Sequence, residues 1–212
     1  MRRLPVYLLL DTSGSMSGEP IEAVKVGVQS LISSLRQDPY ALETAFISII
    51  TFDSTAKQLV PLTELTQFQM PSINASGSTA LGEALELVST KREQEVTKST
   101  AEMKGDWKPL VFIMTDGNPT DDINKGIAEF QKRKWGLVVA CGAGNGADMD
   151  VLKAITTNAV QLDTTDASAF KSFFKWVSAS VSASSKSVES AGKDVSGMDQ
   201  LPPPPPEITV VT

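Results

Sequence analysis

Short apolar runs alternate along this chain with segments whose apolar residues recur at helical spacing. The runs at 6–10 and 110–114 contain no charged residue, which is typical of strands buried on both faces of a parallel sheet. Between them, apolar residues recur every three or four positions over 21–35, as on one face of a helix. This alternation predicts an α/β fold with a mainly parallel sheet and helices on both faces.

The other segments extend the same pattern. Residues 45–52 and 56–61 predict two strands joined by a turn at 53–55, and therefore a hairpin at an edge of the sheet. Asp38 and Pro39 predict the end of the first helix, and a polar stretch up to Lys108 is expected to be solvated. Further elements are predicted as a helix after Thr79, strands at 137–141 and 160–162, and helices at 121–134, 149–155 and about 167–183.

The composition changes near the end of the chain. From Ser184 onward it is rich in Ser, Gly and Lys, and five consecutive prolines follow at 202–206. Such a segment favours an extended polyproline conformation without a packed core. We therefore predict a domain at 1–183 and a flexible tail at 184–212.

Histidine and cysteine, which many catalytic and metal sites require, are scarce or absent in the sequence. The chain has no histidine, and Cys141 is its one cysteine, which we interpret as a small buried apolar residue. Serine–histidine triads, cysteine–histidine dyads and nearly all zinc sites need an imidazole or several thiolates. Any metal ion must therefore be held by oxygen ligands.

Charge and hydropathy exclude other classes of partner. The net charge is −6, and no basic stripe with interleaved aromatic residues suits a nucleic-acid backbone. The apolar run after residue 5 is too short for a signal-peptide core or a membrane span. We expect no nucleic-acid partner, no membrane span and a cytoplasmic location.

Five oxygen-bearing residues follow predicted buried strands or precede a helix. Asp11, Ser13 and Ser15 come directly after the first strand, Thr79 precedes a helix, and Asp116 comes after the strand at 110–114. Open α/β sheets bind ligands at the carboxyl ends of their strands, and crossovers can bring all five groups there. Two acids and three hydroxyls suit Mg²⁺, although Mn²⁺ or Ca²⁺ can also occupy oxygen sites. Because hydroxyl ligands leave the ion under-neutralised, we expect a partner protein to supply a further carboxylate.

The pattern Asp-x-Ser-x-Ser with a later Thr and a later Asp resembles the metal-ion-dependent adhesion site (MIDAS) of von Willebrand factor A (VWA) and integrin I domains. Asp11, Ser13, Ser15, Thr79 and Asp116 match all five positions. The resemblance covers about 4–183. It implies a Rossmann-like, doubly wound sheet with one antiparallel edge strand, and a module that binds proteins through its metal ion.

Other segments resemble the TerY-type VWA proteins of bacterial tellurite-resistance and stress-response clusters. They are the residues at 2–7, 18–24, 37–44 and 104–110. This resemblance implies a cytoplasmic scaffold whose partners include a protein kinase and a PP2C-type phosphatase. Some relatives carry a cysteine-rich metal-binding segment at the C-terminus, which this tail, without Cys or His, does not match.

Simpler interpretations exist for several of these residues. The serines after the first strand can satisfy loop amides, and Thr79 and Thr120 are both candidate helix N-caps, of which we assign only Thr120 to capping. Asp121, Asp122, Asp148 and Asp150 are expected to be structural, because acids are favoured in first helical turns. A scaffold whose site no longer uses a metal ion for binding is a further possibility.

The enzymatic alternative is a Mg²⁺-dependent phosphohydrolase or phosphotransferase with Asp11 as nucleophile. Asp11 superficially resembles the nucleophile of the haloacid dehalogenase family. That chemistry usually requires a second aspartate two residues on, where this chain has Ser13, and a lysine that stabilises the phosphoryl group. We therefore expect a binding module and no enzymatic activity.

Overall fold

The structure is a computed structural model that describes residues 2–211. Its strands are β1 (Leu4–Asp11), β2 (Ala45–Phe52), β3 (Ala56–Glu64), β4 (Leu110–Thr115), β5 (Val138–Ala143), β6 (Ala159–Leu162) and β7 (Ile208–Val211). Its helices are α1 (Glu19–Leu35), α2 (Pro39–Thr44), α3 (Leu81–Glu95), α4 (Ile123–Gln131), α5 (Met149–Ile155) and α6 (Ala167–Ala191).

The strands form one sheet in the order β3-β2-β1-β4-β5-β6-β7. Strands β2, β1, β4, β5 and β6 are parallel to one another, and β3 is antiparallel to β2. The predicted α/β fold, its mainly parallel sheet and the antiparallel hairpin edge are confirmed. The other edge differs from the prediction, because β7 is also antiparallel and pairs with β6.

Alternation along the central strand explains why its sequence is apolar throughout. Leu4, Val6, Leu8 and Leu10 pack with α1 and α6 in one core layer. Tyr7 and Leu9 pack in the opposite layer with α3, α4 and α5. Because both faces of β1 are covered by helices, neither face needs polar residues.

One short helix, α2, was not predicted, and α4 is shorter than predicted. The first helix ends before Asp38 as expected, but Pro39 starts the short helix α2, since the Asp38 carboxylate accepts a hydrogen bond from the Ala41 amide at 3.0 Å. Helix α4 is shorter than the predicted 121–134 because Asp122 is its N-cap, with a carboxylate that accepts from the Lys125 amide.

The polar stretch before β4 is partly packed rather than solvated. The Asp106 carboxylate forms an ion pair with Arg3 at 2.6 Å, and only 5% of the Asp106 side chain is exposed. The Arg2 guanidinium lies 3.3 Å from the centre of the Trp107 ring, and Trp107 is buried. The two N-terminal arginines thus anchor the end of this stretch.

The C-terminal segment is packed rather than flexible. Helix α6 continues to Ala191, eight residues beyond the predicted end, and Val195, Leu201 and Ile208 are buried. The Trp176 indole donates a hydrogen bond to the Pro202 carbonyl at 2.9 Å. The polyproline segment therefore leads into β7, which is a strand of the sheet, and low sequence complexity concealed these contacts.

The two faces of β7 provide a test of this packing. Ile208 is 4% exposed, whereas Val210 is 44% exposed. We expect Ile208→Ala to lower the free energy of unfolding by about 2 kcal/mol, at the low end for buried aliphatic residues because β7 is an edge strand. Val210→Ala should change it by less than about 0.5 kcal/mol. Urea denaturation measures both, and equal, negligible effects would show that β7 is not docked.

Candidate metal centre

The pairing of β1 with β4 sets the first ligand candidate in place. In the parallel register Leu10 lies opposite Met114, so that Asp11 and Thr115 follow together at the carboxyl end of the sheet. The Thr115 hydroxyl donates a hydrogen bond to Asp11 Oδ2 at 2.5 Å. No role for Thr115 was predicted from the sequence. The parallel pairing of β1 with β4 nevertheless places Thr115 beside Asp11.

Asp11 is fully buried, and its environment is costly for a charge. Its second carboxylate oxygen accepts a hydrogen bond from the Ser13 amide at 2.8 Å. Burial raises the pKa of Asp11 above its usual value; hydrogen bonds from Ser13 and Thr115 oppose this shift, and the Asp116 charge adds to it. Among residues 2–211, no lysine or arginine forms an ion pair with Asp11. Buried carboxylates are normally paired or bound to a metal ion, so Asp11 fits a cation site.

Three further oxygen groups form a chain beside Asp11. The Ser13 and Ser15 hydroxyl oxygens are 3.0 Å apart, and the Ser15 hydroxyl donates to Asp116 Oδ1 at 2.8 Å. Ser13 is buried, Ser15 is exposed and Asp116 is half-buried. The chain therefore leads from the interior to the surface.

Thr79 completes the group from another loop. Its side chain is 6% exposed, and a Cβ added at Gly117, next to Asp116, would lie 3.8 Å from its hydroxyl oxygen. Within residues 2–211, the Thr79 hydroxyl takes part in no hydrogen bond, while its amide donates to Thr120 Oγ1 at 3.0 Å. Because no hydrogen bond within these residues occupies the hydroxyl oxygen, its lone pairs are available to a cation.

The loop that carries Thr79 is fixed against the first loop by backbone contacts. The Gly14 amide donates to the Gly77 carbonyl, and the Ser76 amide donates to the Thr12 carbonyl, both at 2.9 Å. Gly77 has a φ of +72°, which side-chain-bearing residues rarely adopt. These contacts hold Thr79 near the Ser13–Ser15 loop without help from any side-chain ligand.

Helix capping does not occupy the candidate ligands. The N-cap of α3 is Ala80, and the Asp121 carboxylate accepts from the Gly82 and Glu83 amides at 3.0 and 2.7 Å. The assignment of Thr120 to capping was wrong: Asp122 caps α4, and the Thr120 hydroxyl supports Thr79. Asp121 is structural, as predicted, but it caps α3 and not the helix that follows it in the sequence.

The donor set fits a small, hard cation. Six oxygens bound to Mg²⁺ at roughly 2.0–2.1 Å lie about 2.9 Å from their neighbours, and larger Ca²⁺ needs wider spacing. The Ser13–Ser15 and Ser15–Asp116 separations of 3.0 and 2.8 Å match that spacing. A cation can therefore replace the shared hydrogens with little movement of the loops. Among residues 2–211, no group of three or more Asp, Glu, His or Cys side chains offers an all-acid alternative.

The geometry gives little support to Asp11 as a nucleophile. Both its oxygens already accept hydrogen bonds, and the side chain has no exposed surface for an incoming phosphoryl group. Within residues 2–211, neither Asp11 nor Asp116 has a lysine or arginine within 4.0 Å. Enzymes that transfer phosphoryl groups usually place such a side chain beside the metal ion.

Comparison with known families decides the classification. The family model of the von Willebrand factor type A domain matches residues 6–176. The chain belongs to this family. VWA domains are protein-interaction modules that act through a metal ion, and the strand order and site position described above agree with that membership.

Individual relatives are longer proteins. An uncharacterized Synechocystis protein, sll0103, is 32% identical over 174 residues, which are 74% of this chain and 37% of the relative. Proximal thread matrix protein 1 from the mussel byssus, in a structure with a zinc-occupied MIDAS motif, is 20% identical with a TM-score of 0.59, and the match covers 84% of this chain and 48% of that one. The pilus adhesin SpaC from Lactobacillus rhamnosus GG is 15% identical with a TM-score of 0.68, covering 86% and 30%. The VWA domain here thus spans less than half the length of each. No helix within residues 2–211 has the length and apolar character of a membrane span.

Thr115 offers a test of how Asp11 is held. We expect Thr115→Val, which removes the hydroxyl but keeps the shape, to weaken Mg²⁺ binding roughly 10–100-fold, as loss of a ligand's hydrogen-bond partner does elsewhere. The matched control is Thr44→Val, which removes a buried hydroxyl bonded to the Tyr40 carbonyl on α2. Isothermal titration calorimetry measures both affinities. Equal Mg²⁺ affinity for Thr115→Val and wild type would show that Thr115 does not support the metal centre.

Proposed function

We propose that this VWA domain is a non-enzymatic binding module that captures a carboxylate of a partner protein through a Mg²⁺ ion. The observation that carries the proposal is the convergence of five oxygen-bearing side chains from three loops. Among them, within residues 2–211, are a buried carboxylate without a cation partner and a threonine hydroxyl without a hydrogen-bond partner. Both groups gain a partner if a cation lies between these loops.

Each residue has a distinct part in this proposal. Ser13, Ser15 and Thr79 supply neutral hydroxyl oxygens, and Asp11 and Asp116 supply the negative charge. Because Asp11 is buried and fixed by Thr115, it is suited to hold the ion in one position. Asp116 is half-buried at the surface and hydrogen-bonded to Ser15, so it can contact the ion directly or through a water molecule.

The partner's contribution follows from charge. A divalent ion with two carboxylate ligands and three hydroxyl ligands keeps affinity for one more anionic oxygen. Ser15 is exposed, so the outer end of the ligand chain is open to an approaching protein. An aspartate or glutamate of the partner is the group that fits this position.

The comparisons support a divalent ion without specifying which one. The mussel byssus protein has a MIDAS motif occupied by zinc, on the same fold. We propose Mg²⁺ here because hard oxygen donors at close spacing suit it, with Mn²⁺ or Ca²⁺ as possible substitutes.

The wider role rests on the sequence resemblance. We propose that the protein is a cytoplasmic scaffold of the TerY type, in a bacterial tellurite-resistance or stress-response complex with a protein kinase and a PP2C-type phosphatase. The supporting observations are the segments at 2–7, 18–24, 37–44 and 104–110. The predicted boundary at 183 lies inside α6, and β7 pairs with β6 in the same sheet, so we propose that the VWA domain extends beyond 183 into the C-terminal segment.

Metal binding is the first test. We expect wild-type protein to bind one Mg²⁺ in isothermal titration calorimetry, with a rise in melting temperature on addition of Mg²⁺. Asp11→Asn keeps the size of the side chain but removes its charge, and should weaken binding by more than about 100-fold, the upper range for groups that only support a ligand. Glu189→Gln, at an exposed acid near the end of α6, serves as the control and should bind Mg²⁺ like wild type.

Partner capture is the second test. Immobilised wild-type protein, Asp11→Asn and Glu189→Gln are incubated with lysate of the source cells in Mg²⁺ or in EDTA, and bound proteins are identified by mass spectrometry. We expect a kinase or phosphatase to be retained by wild type and Glu189→Gln, in Mg²⁺ only. Equal retention by folded Asp11→Asn, or in EDTA, would contradict metal-dependent adhesion.

A further inference from the structure

The face of the protein around the candidate metal centre has no basic residues. We define the carboxyl face as the segments that follow the parallel strands and begin the helices, at 11–22, 53–55, 76–83, 116–122, 144–150 and 163–167. They contain no lysine or arginine but twelve acids: Asp11, Glu19, Glu22, Asp53, Glu83, Asp116, Asp121, Asp122, Asp148, Asp150, Asp163 and Asp166. The rest of the chain has nineteen basic and thirteen acidic residues. The protein therefore has a strong charge asymmetry along the strand direction.

These segments form one continuous surface. The loop at 144–150 contacts the site, because a Cβ at Gly146 would lie 2.5 Å from the Asp116 carbonyl oxygen. The loop at 163–167 contacts that loop in turn, since a Cβ at Gly144 would lie 3.2 Å from Thr165. On the other side, the Ala80 amide donates to the Asp53 carbonyl at 2.8 Å. A partner docked over the centre therefore faces a surface that carries the exposed acids among these.

Helix capping explains only some of the acids on the carboxyl face. Asp121, Asp122, Asp148 and Asp166 cap helices, but serine, threonine or asparagine would cap equally well without charge. Glu83, Asp150 and Asp163 are exposed and accept no capping hydrogen bond among residues 2–211. The acids are also too dispersed to form a second cation site, as no three of the described acids are grouped for metal binding.

Neighbouring positive charges do not cancel this field. The N-termini of α1, α3, α4, α5 and α6 each carry about +0.5, and a divalent ion adds two charges, so the face keeps roughly −7 or −8. Lys171, on α6, lines a groove together with Glu19 and Glu22 at one side of the face, and it offsets one further charge. Lys25 and Lys153 lie just beyond the face and are already paired with Glu22 and Asp150. Lys57, on β3, is the one exposed lysine within two residues of these segments that has no ion pair in the described chain.

We propose that the partner presents its metal-binding carboxylate from a surface rich in lysine and arginine. This inference rests on the proposed function, which requires an acidic side chain to reach the candidate metal centre, where the Thr79 hydroxyl has no hydrogen bond within residues 2–211. A partner acid within an acidic surface would be repelled by the carboxyl face. A partner acid flanked by basic residues can bind the ion while the basic residues are attracted to the acids of the carboxyl face. The carboxyl face also accelerates association with a basic partner and disfavours acidic partners.

Three synthetic peptides test this directly. The first has lysines around one central glutamate, the second has the same lysines around a central glutamine, and the third has aspartates around a central glutamate. Fluorescence anisotropy measures their binding to the full chain in Mg²⁺ and in EDTA. We expect the first peptide to bind at least tenfold more tightly than either of the others in Mg²⁺, with an affinity that falls as the salt concentration rises.

Charge reversal on the protein locates the effect. The double variant Glu83→Lys with Asp163→Lys changes the carboxyl face by four charges without altering a candidate ligand, and should weaken binding of the first peptide at least tenfold. The matched control is Glu102→Lys with Glu189→Lys, two exposed acids near the opposite end of the strands. It has the same net charge and should bind the first peptide as wild type does.

The outcomes separate this inference from the proposed function. If the two glutamate peptides bind equally in Mg²⁺, or neither binds, the basic-partner inference is overturned. Equal, Mg²⁺-dependent binding of both would still support the adhesion site. A third outcome is that the two lysine peptides, with glutamate or glutamine, bind equally well with and without Mg²⁺, and that only the carboxyl-face variant fails to bind them. The carboxyl face would then attract basic partners, but metal-dependent capture of a carboxylate would be contradicted.

Discussion

The buried carboxylate of Asp11 is the constraint around which the carboxyl end of this protein is arranged. A charge without exposed surface is tolerated only with strong hydrogen bonds and a nearby positive charge. The fold supplies the first requirement through Thr115 on the adjacent parallel strand and through the Ser13 amide. The second requirement is met by no described side chain, and this is why a metal ion explains the site better than a purely structural network does.

Preorganisation of the site depends on contacts between loops that are distant in sequence. Backbone hydrogen bonds join the Gly14 and Gly77 loops, Asp121 caps the helix that begins after Thr79, and the Thr120 hydroxyl accepts from the Thr79 amide. None of these contacts uses a candidate ligand oxygen for support. The ligand groups are thereby fixed by their surroundings and left available for binding, which lowers the conformational entropy lost when an ion or partner binds.

The sequence predicts the parallel core well because burial on both faces leaves a direct signature, as at 6–10 and 110–114. It also indicates which residues meet at the carboxyl edge, since Asp11, Ser13, Ser15 and Asp116 follow strands that pair in the sheet. Contacts between distant segments leave no such signature. The capping of α3 by Asp121 and the docking of β7 both depend on neighbours that composition and periodicity do not specify. The start of α2 is different, because Asp38 and Pro39 are a local helix-start signal that was interpreted only as the end of α1.

The docking of β7 also bears on how the protein behaves at high concentration. Strand β6 is short and apolar, with Ala159, Val160 and Leu162 buried, and its free edge would expose unpaired backbone groups to other chains. Four residues of the C-terminal segment cover that edge, and at the opposite edge β3 carries Lys57 and Pro61, which disfavour further pairing. A segment with the composition of a disordered linker thus protects the sheet from edge-to-edge aggregation, and proteolytic loss of it would affect solubility before it affected the metal site.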